Sequence, residues 1–334
     1  MKKTLYIFQS GELRRKDNSL YFESEERRKY IPVEDTGDIY IFGEVDVSKR
    51  FLEFASQKEI CLHYFNHHGY YIGSFYPREH LNAGHVILKQ AEHYMEHGKR
   101  LVLARTFISG SIGQMSQVLK YYRSRISGGS NELATTIEDF STLKESLEQA
   151  DSVEALMAIE GHCREKYYAT FDFIINNPDF PFERRSQRPP HNRLNALISF
   201  GNSICYTVAL SEIYKTYLDP RIGYLHATNF RRFSLNLDVA EIFKPIMVDR
   251  LIFTLLNKKM LTKKDFDKHV DGIILTEGGR KKFIAELDNR LKTTVNHRHL
   301  GRAVSYRRLM RLELYKIQKH IMGEKPYVPY QSLW

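Results

Sequence analysis

One histidine and three carboxylates stand out by type and setting: Glu160, His226, Asp238 and Glu241. Glu160 lies in Ala155-Leu156-Met157-Ala158-Ile159-Glu160-Gly161-His162, four residues after Leu156, so a helix places it on or beside an apolar face. The plainer reading of it is an edge glutamate paired with a nearby arginine. His226 lies in Gly223-Tyr224-Leu225-His226, between two helical stretches, where a backbone-satisfied loop histidine is the plainer reading. Asp238 and Glu241 open a helix three residues apart and share a face, with Lys244 next in the column. An acidic first turn favoured by the helix dipole explains Asp238 equally well. Glu241 lies deeper, between Leu237, Ile242 and Phe243. Such an oxygen-rich, nitrogen-poor set suits Mg²⁺ or Mn²⁺ better than zinc or copper. Ions of that kind act on phosphodiesters by stabilising charge on the attacking and leaving oxygens. Cations flank the set: Arg184, Arg185 and Arg188 ahead of the prolines, then Arg231, Arg232 and Lys244. Arginine suits phosphate because its planar fork bonds bidentately.

Other candidates carry less. His63, His67 and His68, and His297 with His299, have no cysteine near enough to complete a zinc pattern, and are read as strand-end or surface residues. Ser109-Gly110-Ser111-Ile112-Gly113-Gln114 lacks the Gly-Lys-Ser/Thr ending of a phosphate loop and reads as a turn into a helix. Cys61, Cys163 and Cys205 are odd in number and widely spaced, which excludes a disulfide framework and suits half-buried thiols in a reducing cytoplasm.

These residues need a scaffold, and the 334-residue chain is long enough for two domains with real cores. Lys plus Arg exceed Asp plus Glu by ten, with a pI near 9.3, which fits a polyanion partner. Mean hydropathy is −0.45. No uninterrupted apolar run approaches the roughly 18–20 residues of a membrane span, and the apolar stretch after Met1-Lys2-Lys3 stops at Phe8, too short for a secretory signal. The expected setting is the cytoplasm, with no membrane association.

The fold class expected is α+β. Residues 1–80 read as a small β-rich domain: strands at 4–8, 19–22, 30–33, 38–43, 61–65 and 70–75 are short and rich in β-branched and aromatic residues, and Ser48 caps a helix to about Gln57. Residues 81–334 read as a larger, mainly α-helical domain that carries the candidate site. Its helices are expected at about 81–97, 111–125, 152–176 after a polar loop around 128–131, from Leu194 to before Asp219-Pro220, from about Asp238 through Pro245, and 303–322.

The ordered set Ile159-Glu160-Gly161, Arg188-Pro189-Pro190, Asn195-Ala196-Leu197-Ile198-Ser199-Phe200-Gly201, Gly223-Tyr224-Leu225-His226 and Ser234 to Pro245 resembles the CRISPR-associated integrase/endonuclease family, the larger catalytic subunit of the spacer-acquisition complex. The resemblance extends to the domain order over almost the whole chain. It implies that Glu160, His226 and Glu241 coordinate Mg²⁺ or Mn²⁺, with Asp238 beside them but outside the coordination sphere. It implies transesterification of short DNA fragments into a repeat array, a homodimer joined through the β domains, and a small ferredoxin-like partner bridging dimers. Lys244, with Arg184, Arg231 and Arg232, would hold DNA phosphate. Ser111 and Gly113 depart from relatives that carry lysine and asparagine there. A structure-specific repair nuclease and a non-catalytic DNA-binding scaffold are the alternatives.

Overall fold

The computed structural model describes residues 2–77, 81, 83–126, 130–187, 189–226, 233–269, 272–297 and 300–332. The chain divides into two compact units, Met1–Asn82 and Ala83–Trp334.

The first unit holds eight strands and a helix: β1 (Lys3–Ile7), β2 (Gly11–Lys16), β3 (Ser19–Glu23), β4 (Arg28–Ile31), β5 (Thr36–Ile41), β6 (Val45–Val47), α1 (Lys49–Gln57), β7 (Cys61–Phe65) and β8 (Tyr71–Phe75). They form two four-stranded sheets, ordered β1-β5-β7-β8 and β4-β3-β2-β6. In β5, Ile39 and Ile41 face one way and join Leu13, Leu20, Phe51, Phe54 and Leu62 in the core. Tyr40 and Phe42 carry an aromatic layer on the other face, where Phe42 stacks on Phe8 and Phe65. Strand β2 escaped the sequence reading because Leu13 is its one strongly apolar residue; that side chain is fully buried, and hairpin pairing with β3 holds the charged remainder in the sheet. His63 is not a surface residue either: it is wholly buried in β7, and its Nδ1 bonds Ser74 Oγ at 2.6 Å.

The second unit contains α2 (Gly84–Met95), α3 (His97–Arg123), α4 (Asn131–Gln149), α5 (Val153–Ala169), α6 (Phe171–Ile174), α7 (Arg193–Ile213), α8 (Leu235–Lys244), α9 (Arg250–Asn257), α10 (Glu277–Lys292) and α11 (Tyr306–Ile321). Two short hairpins, β9 (Phe266–His269) with β10 (Gly272–Leu275) and β11 (Thr294–His297) with β12 (Arg302–Ser305), flank α10. Helix α8 packs against both α3 and α7. Helix α7 is long and apolar enough to pass a length-and-composition test for a membrane span, but nearly all of it is buried by its neighbours, so it is a core helix.

Several boundaries differ from expectation. Ser109–Gln114 is no turn: it lies inside α3, whose Gly110 gives room for Pro329 of the returning C-terminal segment, where a Cβ would approach to 2.7 Å. The polar stretch after 130 is a full helix, α4, capped by Ser130 Oγ; its buried Leu133, Thr136, Phe140 and Leu147 recur at helical spacing among many polar residues. Helix α5 stops at Ala169, and α11 starts at Tyr306 because Ala303 pairs in β12. All three cysteines are buried outright. After Lys244, Pro245 lacks an N–H, and the helix widens into a π turn over Pro245–Asp249 before α9 continues it.

One buried ion cluster ties α7 to α11. Glu212 is fully buried and receives Arg307 Nε at 2.7 Å and Arg311 Nε at 2.6 Å. Burial alone would raise its pKa, but Lys215, Arg307 and Arg311 outweigh that and hold it down to about 2 from 4.5. The stability this supplies is complete above the ordinary carboxylate value and is lost as pH falls toward about 2. Glu212→Gln leaves buried cations unpaired and is expected to cost about 3–5 kcal/mol at neutral pH. Thermal melts across an acid series check both points, and the variant should lose less stability on acidification than the wild type.

Candidate functional site

The site is built around the start of α8. Asp238 is fully buried there, among Leu235, Val239 and Ile242, and its carboxylate faces the segment that precedes the helix. Oδ2 accepts the backbone N–H of Tyr224 at 2.6 Å and of Leu225 at 3.1 Å. Oδ1 accepts the backbone N–H of His226 at 2.9 Å and its ring Nδ1–H at 2.8 Å. A carboxylate can only accept, so Nδ1 carries the proton and the lone pair sits on Nε2. Asp238 does sit in the first turn of α8, as its plainer reading has it, and from there it holds a backbone segment and a histidine tautomer together. Burial alone would lower the His226 pKa, but the Asp238 hydrogen bond and the charges of Asp238 and Glu241 raise it overall.

Gly223 explains why that segment lies so close. A Cβ there would come within 2.7 Å of the Ser234 carbonyl carbon and 2.8 Å of Asp238 Oδ2. Its N–H donates to Ser234 Oγ at 2.8 Å. Gly223→Ala is expected to push the segment off α8 and lower the melting temperature by several degrees, an overpacking cost of about 1–3 kcal/mol. The same change should misplace His226. Calorimetry of the variant measures the first effect, and loss of the His226 Nδ1–H bond to Asp238, followed by NMR of the imidazole, the second. The other side of the segment is clamped by Gln90, a buried residue of α2 that sequence reasoning passed over. Its Nε2 donates to the carbonyls of Asp219 and Ile222 at 2.8 and 2.7 Å, and its Oε1 accepts from Asp219 N.

One turn along α8, Glu241 is 3% exposed. Lys244 Nζ donates to its Oε1 at 2.5 Å and lies 3.3 Å from the Tyr206 hydroxyl. Arg164 of α5 donates to its Oε2. Burial would raise the Glu241 pKa, but Lys244, Arg164 and His226 lower it well below the ordinary value, so the group is charged. The Arg164 side chain also donates through Nε to Glu160 Oε1 at 2.9 Å and through Nη2 to Ser111 Oγ of α3 at 3.1 Å. Glu160 thus meets the arginine of its plainer reading, four residues along its own helix, and the same arginine joins it to Glu241. Sequence reasoning did not name Arg164, although the Glu160–Arg164 spacing was its signal. Asp249 closes the far side. It is fully buried on the π turn, and burial pushes its carboxyl up to about 7 even though Arg164 and Lys244 pull the other way.

The structure thus brings Glu160, His226, Asp238, Glu241 and Lys244 into one neighbourhood from α5, the segment before α8, and α8. Arg184 is exposed and contributes its carbonyl to Asn195 Nδ2 at 2.8 Å. Arg185 is bound to Asn195 Oδ1 and Ser199 Oγ at the start of α7. Arg188, Arg231 and Arg232 lie outside the described residues. Lys244 is buried and engaged with Glu241, so a free phosphate contact is not its resting arrangement.

Among the described residues no three His, Cys, Asp or Glu side chains stand clustered as a ready set of metal ligands. The donor chemistry nevertheless fits a hard divalent ion: two carboxylates joined through one guanidinium, and a histidine Nε2 whose other nitrogen is anchored to a carboxylate, the usual support of a metal-bound imidazole.

The family profile described as CRISPR associated protein Cas1 matches residues 5–289. The chain is 57% identical over 334 residues, all of both chains, to the CRISPR-associated endonuclease Cas1 2 of Thermodesulfovibrio yellowstonii. It is 49% identical over 325 residues, 97% of this chain and 98% of the relative, to the CRISPR-associated endonuclease Cas1 of Thermotoga maritima. A solved Cas1 protein from Thermotoga maritima superposes with a TM-score of 0.88 at 47% identity, covering 98% of this chain and all of that one. A casposase bound to its integration product shares the fold at 18% identity, with a TM-score of 0.87 over 98% of this chain and 92% of that one. With the profile matching most of the chain and full-length relatives at this identity, the chain belongs to the CRISPR associated protein Cas1 family.

Proposed function

We propose that this chain is the DNA integrase and endonuclease of CRISPR adaptation, working with Mg²⁺ or Mn²⁺ held by Glu160, Glu241 and His226 Nε2. The observation that carries this reading is the convergence itself. Two helices far apart in sequence place Glu160 and Glu241 on one guanidinium, and Asp238 of the second helix anchors the His226 ring beside them. A divalent ion in such a site supplies charge stabilisation at the attacking and leaving oxygens of a phosphodiester. The chain's own residues do the rest. Asp238 keeps the proton on Nδ1 and the Nε2 lone pair available. Lys244 and Arg164 keep Glu241 ionised in a buried place. Exposed basic side chains, Arg184 among them, attract the phosphate backbone. The reaction is transesterification, in which a 3′-hydroxyl of a short DNA fragment displaces a 3′-oxygen in the repeat. Hydrolysis uses water in the same place.

The protein is further proposed to act in the cytoplasm as a homodimer joined through its N-terminal units, with a small ferredoxin-like partner between dimers. The fold also occurs in a structure described as a Cas6-RT-Cas1–Cas2 complex, at 17% identity. Tyr40 and Phe42 are buried within the chain and are not free to form that dimer surface; Tyr30 and Ile72 are exposed.

The test supplies fragments with 3′-hydroxyl or 3′-deoxy ends and a plasmid carrying a repeat array. Strand joining that requires the 3′-hydroxyl and stops in chelator, with DNA binding retained, is the expected result. Cleavage without joining would favour a repair nuclease; processing that ignores chelator would remove the metal site. Binding to unrelated duplexes is expected to weaken steeply with salt, because released counterions supply much of the affinity. A flat log–log plot of affinity against salt would contradict a phosphate-led interface.

A further inference from the structure

Arg164 uses its hydrogen-bonding capacity unevenly. Its Nη2 faces three acceptors at once, Ser111 Oγ, the Glu241 carbonyl and Glu241 Oε2, and its Nε serves Glu160. Its Nη1 is buried and has no hydrogen-bond partner among the described residues. On the far side, Asp249 and the Tyr167 hydroxyl are buried, neither in a well-formed hydrogen bond among the described residues, and the hydroxyl lies close enough to the carboxyl to pull its pKa down. Tyr167 lies three residues after Arg164 on α5, and Asp249 ends the π turn that prolongs α8. The three groups act on one another: Arg164 and Tyr167 both feel the Asp249 charge. Hydrogen-bonding capacity on all three groups is therefore buried together and not taken up by strong hydrogen bonds among the described residues. Native interiors rarely leave such groups unpaired, so each calls for a reason.

We propose that Asp249 is a positioning residue that receives Arg164 when a divalent ion draws on the oxygens of Glu160 and Glu241. The inference rests on the metal site described above. In the arrangement seen here Arg164 neutralises both glutamates and competes with a cation for them. The competition ends only if the guanidinium has somewhere else to bond. Asp249 offers two acceptor oxygens on its unpartnered side, the Tyr167 hydroxyl can donate to the same carboxylate, and Ser111 can keep its hold on Nη2. The widened π turn after Pro245 carries Asp249, whose charge reaches Arg164 and Tyr167 of α5.

The test is Mn²⁺ affinity without DNA, measured by titration calorimetry on the full chain. Asp249→Asn keeps the shape and removes the charge. It should weaken Mn²⁺ binding about tenfold or more, in the range of other supporting residues. Its melting temperature in chelator should be no lower than the wild type's, since it removes an unpaired buried charge. In an Arg164→Met background the same Asp249→Asn change should have no effect, because no guanidinium remains to be received; Arg164→Lys, which cannot bond bidentately, replaces it if Met impairs folding. Affinity of Asp249→Asn within twofold of wild type would overturn the proposal. So would an equal loss in both backgrounds, which would mean that Asp249 acts by its charge alone. Mn²⁺ binding undiminished by Glu241→Gln would overturn the metal site itself, and Asp249's role with it. Binding lost in Glu241→Gln but untouched in Asp249→Asn would overturn the role of Asp249 alone.

Discussion

Glu241→Gln is expected to reduce Mn²⁺-dependent cleavage and joining to background and to destabilise the protein as well. The two effects have different causes. In the proposed site activity is lost because an amide oxygen is a poorer ligand for a hard divalent ion than a carboxylate. Stability is lost because Arg164 and Lys244 are both buried against this one side chain, at 7% and 6% exposure. Leaving buried cations without their anion costs about 3–5 kcal/mol. Glu160 separates the effects. Its side chain is 16% exposed and, among the described residues, bonds the Nε of Arg164. Glu160→Gln should therefore match the loss of activity with a melting temperature close to wild type. Calorimetry beside a joining assay on both variants decides the matter. Wild-type turnover in Glu160→Gln would take that residue out of the site.

The second large effect is expected at Asp238. A neutral side chain cannot replace its four hydrogen bonds, because three come from consecutive backbone amides and one from an imidazole N–H, and all four need an acceptor. In Asp238→Asn one oxygen becomes a donor and faces N–H groups, so either the segment around His226 lifts off or its tautomer changes. Joining should fall by about 10–100-fold, and the melting temperature should drop. The residual activity distinguishes it from Glu241→Gln: a group that holds a ligand in place weakens the site, and a ligand abolishes it. Rates of the two variants under the same Mn²⁺, together with Mn²⁺ affinity, provide the comparison. If Asp238→Asn is the more damaging once melting is taken into account, the roles of the two acids are reversed.

Much of this architecture was legible from local pattern. Short runs rich in β-branched and aromatic residues marked most strands of the first unit, and the stripe Tyr306, Met310, Leu314, Ile317, Ile321 marked the last helix, because local composition and helical spacing are set by neighbours in sequence. Strand β2 and helix α4 were not legible, since each buries few apolar side chains among many charged or polar ones, and pairing with β3 or packing on α3 and α5 decides their state. Gly110 and Gly113 look like turn residues in sequence. In α3 they lie under the C-terminal segment, where Gln114 also bonds the Tyr330 carbonyl at 2.8 Å, and that contact is a tertiary fact.

The same division runs through the site. Sequence alone determined the chemical type of the site: an oxygen-rich set with one histidine, on a basic chain, with Asp238, Glu241 and Lys244 in one helical column. Residue types and short spacings carry that information. Only the tertiary structure decided what each acid bonds. Asp238 is spent on the backbone and ring of His226, Glu241 is held by cations from two helices, and Arg164 joins acids eighty-one residues apart in the chain. Those assignments depend on distances of a few ångströms between segments remote in sequence, in a buried setting where each partner's charge sets the state of the next. No local spacing encodes such distances; the packing of α5 and α8 around α3 does.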